Sequence, residues 1–95
     1  MLLVQDFVNN WLNFYMDINK KKGINERNLD KLENSLILLK NEYATKDYIP
    51  KEIGNIFIDL YSSLESLSDL YSDNEKKEII EIADYLATLA REVCS

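Results

Sequence analysis

An all-α fold, an antiparallel up-down-up-down four-helix bundle, is what this 95-residue sequence predicts, and three observations predict it. Apolar residues recur at i, i+3 and i+4 in four separate segments, which places them on one stripe of a helix each. Those segments match in length, at roughly 17 to 21 residues or about 25 to 30 Å each, and short connections between them favour antiparallel neighbours. No segment shows sustained period-two alternation bounded by turn residues, so no sheet is expected. A chain of this length buries one core, and residues 1–95 read as a single helical domain. A three-helix core with a fourth helix packed obliquely is the fallback.

The first helix spans Leu2 to Lys22, with Val4, Phe7, Val8, Trp11, Leu12, Tyr15 and Ile18 on its apolar stripe. Lys20, Lys21 and Lys22 crowd its last turn, where cations meet the negative end of the macrodipole, and Gly23 stands where a left-handed C-cap would be. Asn25 is placed to cap the second helix, whose stripe is Leu29, Leu32, Leu36, Leu39 and Tyr43, ending near Ala44. Pro50 suits the first position of the third helix, since its missing N–H would have no partner there. Ile53, Ile56, Phe57, Leu60, Leu64 and Leu67 follow in phase, while Gly54 and Ser62, Ser63, Ser66 and Ser68 lower its propensity. Ser72 with Glu75 three residues on is a capping box for the fourth helix, which carries Ile79, Ile82, Ala83, Leu86, Leu89, Ala90 and Val93 to about Val93.

Composition removes most chemistries. With no His, a di-iron site built on Glu-x-x-His pairs has no ligands, and Ser-His or Cys-His nucleophiles have no base. The segment Asp69 to Glu78 is rich in oxygen but lacks the alternating ligands and mid-loop Gly of an EF-hand, and no Gly-rich phosphate loop is present. Neither a catalytic residue, nor a metal site, nor a cofactor is therefore expected, and the chain does not read as an enzyme. No run approaches the roughly 18 apolar residues of a membrane span, and the N-terminus lacks signal-peptide order, so the cytoplasm is the expected location. A lone Cys94 beside Glu92 is read as a bystander thiol.

Function then has to run through binding. The formal charge is −6, and it is unevenly spread. Residues 1–58 balance to zero, whereas residues 59–95 hold Asp59, Glu65, Asp69, Asp73, Glu75, Glu78, Glu81, Asp84 and Glu92 against Lys76, Lys77 and Arg91. If the third and fourth helices are neighbours, Asp59, Glu65, Asp69, Asp73, Glu78 and Glu81 form one acidic surface bearing Tyr61, Tyr71 and Tyr85. Carboxylates steer a basic partner, and tyrosine supplies rigid contact area with a polar end. The alternative is that the acidic face serves only solubility, with the tyrosines at the core boundary. Direct nucleic-acid binding runs against the charge, because the only basic cluster is Lys20 to Lys22.

The stretch Ile49-Pro50-Lys51-Glu52-Ile53-Gly54-Asn55-Ile56-Phe57-Ile58-Asp59-Leu60-Tyr61, with the acidic turn after it, resembles the small acidic all-helical immunity proteins of bacterial toxin systems, of the colicin and contact-dependent growth inhibition types. The resemblance covers residues 46–95. It implies an inhibitor that neutralises a cognate toxin, here a basic nuclease domain, as a monomer or weak homodimer. Two rivals stand beside it: a regulatory or adaptor bundle that docks a partner on an apolar groove near Trp11, Phe14 and Met16, and an acidic mimic of nucleic acid.

Overall fold

The computed structural model describes residues 2–95. Four helices carry the chain: α1 (Leu2–Asn19), α2 (Glu26–Tyr43), α3 (Lys51–Ser68) and α4 (Asp73–Cys94), with no strand among the described residues. The fold is all-helical, as the periodicity predicts. Among the described residues, no helix is long and apolar enough to cross a membrane.

The helix ends show what stops and starts each element. At α1 the left-handed residue is Lys21, with φ 62°, and not Gly23 alone. Lys21 N–H reaches the Ile18 carbonyl at 3.1 Å and Lys22 N–H reaches that of Asp17 at 2.9 Å, the two bonds of a Schellman ending, so α1 stops at Asn19 and not at Lys22. Gly23, with φ 80°, then turns the chain toward α2. Asn25 caps α2 as expected, its side-chain oxygen accepting from Asn28 N–H at 3.0 Å. Pro50 is the N-cap of α3 and not its first helical residue, with its carbonyl accepting from Gly54 N–H at 3.1 Å. At α4 the box closes between side chains: Ser72 Oγ donates to Glu75 Oε1 at 2.9 Å, while no backbone N–H bonds the serine oxygen.

Side-chain bonds, ring contacts and the proximity of the helices give their neighbour relations. α1 and α2 form an antiparallel hairpin, as the Asn10–Lys31 and Asp17–Asn28 hydrogen bonds show; α3 and α4 form a second, joined at its turn by Asp69 and Lys76. Between the hairpins, Glu33 and Lys40 of α2 meet Tyr85 and Glu92 of α4, a constant offset that sets these two helices parallel. The Phe7–Phe57 ring contact and the Ile18–Tyr71 bond set α1 parallel to α3 in the same way. The order around the bundle is therefore α1, α2, α4, α3, and the backbones of the consecutive helices α2 and α3 do not approach as neighbours. Residues 44–50 cross that diagonal, and seven extended residues reach roughly 23 Å. Tyr43 and Tyr48 rings pack edge-on at 6.3 Å, and Lys46 reaches both Glu42 and the Tyr43 ring, pinning the crossing.

The core joins Phe7, Trp11, Phe14 and Ile18 to Leu32, Leu36, Leu39 and Tyr43, and these to Ile53, Leu60, Leu64, Ile79, Ala83, Leu86 and Val93. On α1 the buried stripe is rotated from the expected one: Phe14 is fully buried and Leu12 is 48% exposed. α2 lies on the Phe14 side, and a helix with two neighbours buries the sector between them. Phe14 is thus part of the core and is not available as an interface residue. Ser35 and Ser68 are buried inside helices, each hydroxyl donating to the carbonyl three residues back, at 2.8 and 2.6 Å.

Candidate functional site

The nine residues expected to share one surface are divided by the packing among five places. Asp59 lies on the α1 side of α3, lining an open cleft of about 250 Å³ with Trp11, Leu12, Tyr15 and Ile56. Tyr61, on the opposite flank of α3, lines a cleft against α4 with Ile58, Ala87 and Arg91. Glu65, Asp69 and Asp73 gather near the α3–α4 turn. Lys76 bonds Asp69 at 2.7 Å, and that hydrogen bond, with the neighbouring charges of Asp69, Asp73 and Glu65, holds its ammonium above the usual lysine range.

Tyr71 does not belong to an exposed surface. Its hydroxyl donates to the Ile18 carbonyl at 2.7 Å and accepts from Gly23 N–H at 3.1 Å, so it ties the turn of the second hairpin to the end of α1. The signal was in the sequence: Tyr71 stands seven residues after Leu64 and four after Leu67, in the core phase of α3 carried past its end.

On α4, the seven-residue spacing of Glu78, Tyr85 and Glu92 makes one row, and both Tyr85 and Glu92 reach α2. Tyr85 donates a hydrogen bond to Glu33 Oε2, and that bond, then desolvation, pushes its phenol above the usual tyrosine range. Lys40 pairs with Glu92 at 3.0 Å. Glu81 and Asp84 project on the outer side of this row, both exposed.

The acidic surface is consequently centred on α4. Asp73, Glu75, Glu78, Glu81 and Asp84 are exposed and make no ion pair among the described residues. Glu65 adjoins them from α3 and Glu33 from α2. Asp59 falls outside it. Glu33 was not foreseen, because nothing in the sequence makes α2 a neighbour of α4; Asp84 was legible as an outward position seven residues before Arg91. The described residues bring together no group of three His, Cys, Asp or Glu able to hold a metal.

The arrangement presents exposed carboxylates beside one half-exposed tyrosine. No family model matches this chain, and no curated protein and no solved structure does either.

Proposed function

We propose that this chain is a protein-binding module that neutralises a cationic protein, in the manner of an immunity protein occupying a basic nuclease toxin. The observation that supports the reading is the run of exposed, unpaired carboxylates on α4, from Asp73 to Asp84, bordered by Glu33 and Glu65 of the neighbouring helices. A fold gains nothing in stability from like charges at i,i+3 spacing such as Glu75–Glu78 and Glu78–Glu81, which repel by a few tenths of a kcal/mol per pair. Keeping them together is explained by a partner whose lysines and arginines face them. A nuclease domain offers such a surface, because it is built to hold phosphates. Tyr85 supplies the rigid aromatic contact at the edge of the acidic row, and Glu33 orients it.

Co-expression with the protein encoded beside it, followed by co-purification across a salt series and a growth-rescue assay, tests the proposal. Rescue and a salt-sensitive complex are expected, with Glu78→Lys/Glu81→Lys weakening binding by at least about a hundredfold, or roughly 2.7 kcal/mol. A complex that ignores this double reversal would remove α4 from the interface, and absence of both complex and rescue would remove the immunity reading.

A further inference from the structure

The same packing that gathers charge on one side of the bundle clears it from the other. The neighbours α2 and α4 carry sixteen charged residues between them, whereas α1 carries two, Asp6 and Asp17. Both of those lie on the α2 edge: Asp17 accepts from Asn28, and Asp6 lines a cleft with Lys31 and Asn34. The flank of α1 turned to α3 is uncharged from Val4 to Asn19. Facing it, α3 contributes Asn55, Ile56 and Ser63, a single central carboxylate, Asp59, and the Lys51–Glu52 pair of its first turn.

This face is also partly apolar. Leu12 and Met16 stand 48% and 40% exposed one turn apart, beside the cleft floored by Trp11, Tyr15 and Ile56. We infer that the α1–α3 face is the docking surface for a second copy of this chain. Two bodies of charge −6 repel, and bringing them together through α4, where six acidic residues stand against three basic ones, would oppose like charges at short range, whereas α2 is nearly balanced at four against three. Across the α1–α3 face the charges are the two Asp59 carboxylates, the ends of the two α3 helices and the exposed Lys20, Lys21 and Lys22 that follow α1. A twofold interface sets one patch against itself, so an uncharged apolar patch is complementary to its own copy where an acidic one is not. A basic partner is drawn by charge to α4 on the opposite side, and a dimer through α1 and α3 leaves that side open in both copies. Area suffices: one long face of a body exposing 5982 Å² offers on the order of 1,000 Å², against the roughly 800 Å² per partner of a standard interface.

Sedimentation equilibrium of the whole chain under reducing conditions, from micromolar to near-millimolar concentration, reads the association directly; the reductant keeps the exposed Cys94 from linking copies. A reversible dimer is expected, tightened by salt because screening weakens the repulsion, whereas a complex held by opposite charges is loosened by it. Leu12→Glu should leave monomer, and Asp59→Asn should tighten the dimer about fivefold, the equivalent of about 1 kcal/mol. Circular dichroism should show Leu12→Glu still helical, and Met16→Glu, at another exposed position, provides the same test should it not. Monomer at every concentration and salt overturns the inference, as does a dimer indifferent to both substitutions. Neither result touches the acidic surface, because Leu12→Glu adds negative charge and leaves α4 intact.

Discussion

Tyr71→Phe separates a structural tyrosine from a binding one. The substitution removes a single oxygen that makes two hydrogen bonds between the hairpins, one to the Ile18 carbonyl at 2.7 Å and one from Gly23 N–H at 3.1 Å. The two losses are unequal. Ile18 oxygen retains the Lys21 N–H at 3.1 Å, so it stays satisfied, whereas Gly23 N–H loses its acceptor in a half-buried position that water reaches only in part. A net hydrogen bond contributes about 0.5 to 1.5 kcal/mol, and a donor left without a partner adds to that, so a destabilisation of about 1 to 2 kcal/mol is expected. In a domain of this size that lowers Tm by roughly 5 to 15 °C. Urea unfolding followed by circular dichroism should show a lower midpoint with an unchanged slope, since the buried surface is unaltered. A change below about 0.5 kcal/mol would refute the assignment of Tyr71 as the clasp between hairpins. Loss of partner binding at unchanged stability would return it to the interface.

Two further outcomes follow from the helix ends and the α2–α4 contact. Lys21→Gly should stabilise the fold by about 1 kcal/mol in the same unfolding experiment, because a non-glycine residue at φ 62° is strained by its Cβ; a loss of stability would mean that the lysine charge at the end of α1 outweighs that strain. Tyr85 ionises above its ordinary value because it donates to Glu33, so its contact contributes fully below the usual phenol pKa and is lost as pH rises through the higher folded value. Ultraviolet titration should show a late-ionising phenol that Tyr85→Phe removes and Glu33→Gln brings down. The stability difference between the wild type and Tyr85→Phe should be flat from pH 7 to about 9.5 and shrink above 10; a titration unaffected by Glu33→Gln would break the link.

The residues of each helix show where legibility ends. Helix existence, the Asn25 cap and most of the core followed from the 3.6-residue period, because local backbone hydrogen bonding and one-sided burial act within a single segment. Finer placement differed at two helix ends. Lys21 took the left-handed cap two residues before Gly23, and Pro50 capped α3 instead of entering it.

Which face of each helix meets which neighbour was settled only by assembly. The period of α1 allowed a stripe that includes Leu12 and one that includes Phe14, and the position of α2 chose Phe14. Sequence order suggested that Asp59 and Glu78 share a surface, but α3 turns one flank to α1 and the other to α4, and Asp59 sits on the first. The crossing of residues 44–50 placed α2 beside α4, which joined Glu33 to Tyr85 and left α1 beside α3 with hardly a charge between them. By itself the sequence determined four amphipathic helices and an acidic excess, because those depend on residues close along the chain. The tertiary structure alone decided the side of the bundle on which that excess gathers, because this depends on burial between segments that the chain does not order.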